Sequence, residues 1–187
     1  MTLDLDAYEP GTVNRVTIPT VELLDGSKDE LKVTVVRGCE DGSVLYLGST
    51  VHGDEITGIE VIRRVLENVS PRELRGSIVA VPVQNPLAFR NRMRFLPAPA
   101  SEAYWLDLHT AFPGSLDGEL ASVLAHQLLH EIVLQCDYAI DMHTSLAGGE
   151  YIDYLFTPSP EADSNGHARR LALAFGTPLV ITQKSGL

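Results

Sequence analysis

The chain has 187 residues, 44% hydrophobic and 21% charged, which suits one globular domain with a substantial core and leaves no room for a second full domain. Aromatic residues make up only 6%, so aliphatic side chains must fill most of that core. A formal net charge of -11 repels phosphate backbones and argues against a nucleic-acid partner.

The opening Met1-Thr-Leu-Asp-Leu-Asp6 has neither the basic region nor the apolar region of a secretory signal. No apolar run reaches the length of a membrane span. Cys39 and Cys136 form no C-x-x-C pair and read as small core residues. These features imply a single domain over residues 1–187 in the cytoplasm, with no membrane contact and an oligomeric state left open.

In chain order, residues 12–18 alternate apolar and polar as a half-buried strand does. A turn at Asp25-Gly-Ser and a strand over 31–36 complete a hairpin-like pair. After a turn at Asp41-Gly-Ser, Val44 to Val51 is a near-continuous apolar run, the pattern of a strand buried on both faces. Ile56, Ile59, Ile62 and Leu66 then mark an amphipathic helix over 55–68, with Asp54 placed to cap it. Another apolar strand covers 77–83. Residues 84–116 are rich in turn formers and read as a long functional loop. A second amphipathic helix is predicted over 117–134, a strand over 137–142, a mixed stretch over 144–164, a helix over 168–175 and a strand over 178–182. From residue 44 onward strands and helices alternate, the order of an α/β sheet that is largely parallel in this portion.

The chemistry concentrates in two places. Ser49-Thr-Val-His-Gly-Asp-Glu55 puts His52 and Glu55 three apart where a strand gives way to a helix, and Ile140-Asp-Met-His143 closes a second strand. Two imidazoles and a carboxylate are the ligand set of a catalytic zinc ion with one position open for water. Sites in α/β sheets gather at the carboxyl ends of strands, where both histidines emerge. If the two strands are neighbours, the three side chains meet. Asp141, two residues before His143, is placed to hold the second nitrogen of a ligand imidazole. His126 and His130, four apart before Glu131, lack the H-E-x-x-H order and read as lining a partly exposed helix face. Phosphate-binding loops and the G-x-S-x-G elbow are absent from the sequence.

Taken in order, several stretches resemble the succinylglutamate desuccinylase/aspartoacylase family, relatives of the zinc carboxypeptidases. Gly48-Ser-Thr-Val-His-Gly-Asp-Glu55 with Gly58 is similar to its first metal motif, and Asp141-Met-His143-Thr to its second. Val79 to Phe89 and the Asp107-Leu108 … Ala111-Phe-Pro-Gly114 frame match the segments between. The resemblance implies a three-layer α/β/α zinc-carboxypeptidase-like fold with a mixed, largely parallel sheet, truncated at the C-terminus and lacking the family's C-terminal β-domain. It implies one Zn2+ ion on His52, Glu55 and His143, with Asp141 behind them. It also implies a catalytic Arg94, before Phe95, that polarises the scissile carbonyl, with Arg92 as the alternative register. The substrate class would be a small N-acyl amino acid-like molecule, cleaved at an amide or ester by metal-activated water.

Two departures from the family pattern stand out. His109-Thr110 replaces its Asn-Arg pair, and threonine cannot reproduce a bidentate guanidinium clamp on a substrate carboxylate. The loop before that pair carries extra residues, Pro97 to Trp105. The family's general-base glutamate lies on a strand well after the second metal motif, whereas this sequence ends at Lys184-Ser-Gly-Leu187. Glu150, in the loop beyond His143, is a candidate substitute base, but an ordinary solvated loop glutamate is the favoured reading. The resulting expectation is metal binding with weak or no turnover by these residues alone. A non-catalytic metal-binding module and a zinc carboxypeptidase acting on peptides are the competing readings.

Overall fold

The computed structural model describes residues 2–23, 25–96, 106–145 and 149–183. Backbone contacts divide the chain into two units, Met1–Ala147 and Gly148–Leu187. Pro97 to Trp105 and Lys184 to Leu187, singled out above, lie outside the described residues.

In the first unit the alternating opening forms β1 (Thr12–Glu22) and β2 (Lys28–Arg37), an antiparallel pair with Ile18 opposite Leu31. Asp25 closes the turn by accepting hydrogen bonds from the backbone N–H and the hydroxyl of Ser27. β3 (Glu40–Ser49), β4 (Arg75–Val81) and β5 (Tyr138–Met142) complete a five-stranded sheet in the order β1-β2-β4-β3-β5. β4 is antiparallel to β2, while β3 runs parallel to both β4 and β5. The sheet is therefore mixed, with parallel pairing among the strands from residue 40 onward.

The period-2 alternation of the strands sorts the core onto two faces. Val33, Val35, Tyr46, Val79 and Val81 face one way and pack with Leu128 and Ile132. Val36, Leu47, Ile78 and Ala80 face the other way and pack with Ile62 of α1 (Thr57–Asn68). Helical cover on both faces makes the three-layer α/β/α arrangement, and explains why β3 and β4 read as continuous apolar runs. A third cluster lies under the loops, formed by Val51, Leu87, Leu96, Leu108, Ala121, Leu124 and Ala125. Val51 and Leu108 are sequence neighbours of His52 and His109, so this cluster anchors the loops that carry polar side chains.

Several boundaries differ from expectation. Asp41-Gly42 is no turn: β3 begins at Glu40, with a register shift between Glu40 and Val44 that absorbs the irregularity. The first helix starts at Thr57, and its cap position is Ile56, which makes no side-chain cap. Asp54 is therefore not its cap. The reason is local: the Glu55 N–H bonds to the His52 carbonyl at 3.1 Å, making a turn that withholds Glu55 from the helix.

The long segment after β4 contains α2 (Pro86–Arg90) and α3 (Leu108–Ala111). Asn85 caps α2 by accepting from Ala88 N–H at 3.1 Å, and Pro86 occupies the first turn, where its missing N–H costs nothing. The second long helix is α4 (Leu120–Gln127), which passes into a π-helical turn over Leu128–Ile132 and a 3-10 turn over Val133–Gln135. Both cysteines are free. Cys136 packs partly buried against the first core face, and burial, then the neighbouring Asp137, push its thiol up to about 12. Cys39 is exposed rather than a core residue: it lies past the end of β2, where its N–H bonds to Pro71.

The second unit contains β6 (Tyr154–Thr157), α5 (His167–Phe175) and β7 (Leu179–Thr182), with β6 and β7 paired in parallel. Among the described residues, no helix is long and apolar enough to cross a membrane.

Gly58 sets how closely α1 approaches the sheet. A Cβ there would stand 2.5 Å from Ser49 Cβ and 3.1 Å from Met142 Cβ, on the two strands that carry the polar motifs. Alanine is the better helix former by about 1 kcal/mol, but overpacking of this kind costs about 1–3 kcal/mol. Gly58→Ala is therefore expected to lower the urea midpoint despite its helix propensity.

Candidate metal centre

The parallel register of β3 and β5 places Gly48 opposite Asp141 and Ser49 opposite Met142. Both strands end at the same edge, so the chain past Ser49 and the chain past Met142 run out side by side. The end of β3 is shaped by Thr50, a buried β-branched residue with φ of 58°. That left-handed conformation is strained for threonine. It is held by the Thr50 hydroxyl donating to the Glu55 carbonyl at 3.0 Å and by Asn85 N–H donating to the Thr50 carbonyl at 3.2 Å. Asn85 also donates from its side chain to the Val51 carbonyl at 3.0 Å. Gly53 then passes so close to α2 that a Cβ would lie 2.3 Å from the Ala88 carbonyl carbon, which excludes any larger residue.

This turn delivers Glu55, 2% exposed, between two imidazoles. His52 Nδ1 is 2.9 Å from Glu55 Oε1, and His143 Nδ1 is 2.9 Å from Glu55 Oε2. One donor atom from each of His52, Glu55 and His143 lies within 4.8 Å of the others, a group able to hold a metal ion. The far nitrogen of each ring faces a second carboxylate. His52 Nε2 is 3.3 Å from Asp107 Oδ1, and His143 Nε2 is 3.0 Å from Asp141 Oδ2. Carboxylates at both Nε2 atoms orient the rings with Nδ1 toward Glu55, so Nδ1 is the atom of each ring that would bind a metal. The donor set of two imidazoles and one carboxylate thus fits a divalent ion.

The electrostatics follow from Glu55. Burial alone would raise its carboxyl, but His143, His52, Arg94 and the Thr144 N–H outweigh burial and hold it far below the usual carboxylate range. For His143 burial opposes the charge, yet hydrogen bonds to Asp141 and Glu55 push it up to about 10. Burial and the nearby imidazoles of His143 and His52 lower His109.

Arg94 lies in the site. Its Nη1 donates to Glu55 Oε1 at 2.6 Å, its guanidinium sits over the Phe95 ring, and its carbonyl accepts from Gly53 N–H at 3.1 Å. Arg92, the alternative register, adopts φ of 53° and lines a different cavity, with Gly53, Asp54, Ile56, Phe89 and Arg90. Glu150 is exposed and belongs to the second unit. The His126 and His130 rings pair with each other, centres 4.2 Å apart, outside the close donor group.

Sequence reasoning did not assign three residues the structure brings here. Asp107 backs His52; its place in the Asp107-Leu108 frame was the available signal. Gln84, 4% exposed, donates from Nε2 to Asp141 Oδ1 and steadies the carboxylate behind His143. His109, noted only as a departure, has its ring centre 5.5 Å from that of His52 and 5.1 Å from that of His143.

A three-layer α/β/α sheet with these motifs at its carboxyl edge defines a zinc-carboxypeptidase-like fold. Residues 41–186 match the family model described as succinylglutamate desuccinylase/aspartoacylase catalytic domain, and the chain belongs to that family. Over 155 residues it is 29% identical to the N-alpha-acetyl-L-2,4-diaminobutyric acid deacetylase of Halomonas elongata, covering 81% of this chain and 43% of that protein. The crystal structure of a succinylglutamate desuccinylase/aspartoacylase from Rhodobacter sphaeroides superposes with a TM-score of 0.80 at 26% identity, over 97% of this chain and 55% of that one. An aspartoacylase family protein from Mesorhizobium loti shares the fold, with a TM-score of 0.78 at 24% identity over the same shares, 97% and 55%. The chain thus spans about half the length of these relatives.

In the metal-free protein His143 rises from 6.5 unfolded to about 10 folded. A raised imidazole adds stability that is complete below its unfolded value and is lost as pH climbs through the folded one. Between pH 7 and 10 the urea midpoint of the metal-free chain should fall, and His143→Gln should flatten that decline.

Proposed function

We propose that this chain forms the metal-binding part of a zinc-dependent acyl hydrolase, acting on the amide or ester bond of a small N-acyl amino acid-like substrate. The observation that carries this reading is the Glu55 carboxylate seated between the Nδ1 atoms of His52 and His143, residues remote in sequence. Membership of the desuccinylase/aspartoacylase family supports the reaction class. The deacetylase from Halomonas elongata, named for an N-acetylated amino acid, supports the substrate class.

His52, Glu55 and His143 would hold one ion, and two nitrogens with one oxygen suit zinc. Zinc bound there would supply Lewis acidity toward water and the scissile carbonyl. Asp107 and Asp141 would keep both rings oriented, and Gln84 would keep Asp141 in place. Arg94, tied to Gly53 through its backbone, would offer N–H groups to the carbonyl oxygen as negative charge develops on it. The position after Asp107 offers His109 and Thr110, neither of which makes a bidentate clamp on a carboxylate. Turnover by this chain should accordingly be weak.

Zinc analysis of the purified chain is expected to give about one ion per chain and a loss of binding in His52→Ala/His143→Ala. Equal metal content in both proteins would remove the reading. Because His143 is protonated near neutral pH in the metal-free chain, zinc binding should release about one proton. Calorimetry in buffers of different ionisation enthalpy measures that proton. The zinc-loaded chain should hydrolyse N-acyl amino acids slowly and leave short peptides intact; rapid peptide cleavage would assign a different substrate class.

A further inference from the structure

We infer that the cavity between the 52–56 turn and the end of α2 is a second small-molecule site, one that takes a carboxylate carrying an apolar group. The site is separate from the metal centre. None of His52, Glu55, His143 and Arg94 lines it, and the inference does not rest on the metal reading.

The cavity measures about 550 Å3 and is lined by Gly53, Asp54, Ile56, Phe89, Arg90 and Arg92. Small-molecule sites span about 300–1,000 Å3. Its two walls are locked together. Gly53 packs so closely on the α2 side that a Cβ would stand 2.4 Å from the Met93 carbonyl oxygen and 2.5 Å from Phe89 N. The Gly53 N–H also donates to the Arg94 carbonyl at 3.1 Å. Ile56 and Phe89, both exposed, supply the apolar part of the lining.

α2 ends in a turn in which Arg92 N–H donates to the Phe89 carbonyl and Met93 N–H to the Ala88 carbonyl, both at 3.0 Å. This pair of bonds needs a left-handed residue at position 92, where glycine is the usual choice and asparagine the next. The sequence places arginine there, at φ of 53°, and the backbone is strained for it. The backbone gains nothing from that choice, so its reason is in the side chain.

The neighbouring arginines are occupied. Arg90 is held by the fully buried Asp29, and Arg94 by Glu55 and Asp54. Among the described residues, no hydrogen bond or ion pair holds the Arg92 guanidinium. With 25 acidic side chains against 14 basic ones, that is not for want of acids. A free guanidinium fork takes both oxygens of a carboxylate, and Arg90, fixed by Asp29, adds a second positive group to the same lining. Ile56 and Phe89 then cover the apolar body of the ligand. Asp54 lies 3.7 Å from Arg94 Nη1 through Oδ1, so its charge faces a cation of its own. A free amino acid and its N-acylated form share the required carboxylate and differ in the charge they present to Asp54.

The test is an NMR titration of the metal-free full chain with L-phenylalanine, N-acetyl-L-phenylalanine and the uncharged N-acetyl-L-phenylalanine amide. Saturable shifts of the Gly53, Phe89 and Met93 amides are expected with at least one of the two acids and none with the amide; the tighter acid identifies the source of the carboxylate. Arg92→Gly and Arg92→Asn both suit the left-handed turn, so they should keep or raise the urea midpoint while weakening that binding at least about tenfold. Equal binding of the amide, or no saturable shift with either acid, overturns the inference on the parent chain alone, even if neither variant folds. Unchanged affinity in a folded Arg92 variant overturns it as well. Each result reads the same whether or not the chain binds zinc.

Discussion

The parallel pairing of β3 with β5 is the constraint on which the site depends. Gly48 opposite Asp141 brings two strand ends that are 90-odd positions apart in the chain to one edge, so the turns that follow them must share space. A slip of one residue would reverse which side chains of β5 face the α1 layer, because the side-chain period of a strand is two. The start of β5 guards against this: Asp137 accepts from Val44 N–H through its carboxylate at 2.7 Å and donates its own N–H to the Val44 carbonyl at 2.9 Å.

Given that edge, the site is organised by one buried carboxylate. An isolated Glu55 would be driven toward neutrality by burial. It stays ionised because His52, His143, Arg94 and the Thr144 backbone N–H all converge on its two oxygens. These partners come from three separate stretches of the chain, so Glu55 joins the β3 turn, the Arg94 segment and the β5 turn in one network. Removing any one partner leaves the others facing a poorly compensated charge. The strain at Thr50 belongs to the same design, since its hydroxyl holds the Glu55 carbonyl while the side chain points at the imidazoles.

The departure at residues 109 and 110 changes the mouth of the site rather than its base. His52, Glu55, His143 and their backing carboxylates sit on the sheet edge and the turns packed against it. His109 and Thr110 ride on the four-residue α3, whose position depends on Asp107 and Leu108. The proposed metal base and the substrate-facing rim can thus diverge independently, which suits a family whose members differ in substrate while keeping one fold.

The sequence by itself determined much of this protein. Period-2 and continuous apolar runs marked the strands, the Ile59, Ile62 and Leu66 spacing marked α1, and the two motifs at strand ends pointed to His52, Glu55 and His143. The start of α1 misled because the Glu55 N–H closes a turn on the His52 carbonyl, which the apolar spacing of the helix does not reveal. Cys39 misled because residue type says nothing about whether a strand has already ended. Gln84 and His109 became legible only in three dimensions, and so did the role of Asp107, whose sequence frame signalled the residue but not its partner. Their partners lie on other segments, and a hydrogen bond or ring contact between segments is set by strand order and loop packing. Local pattern fixes which elements form; the meeting of their ends is decided by long-range pairing in the sheet, a property no single stretch of the chain encodes.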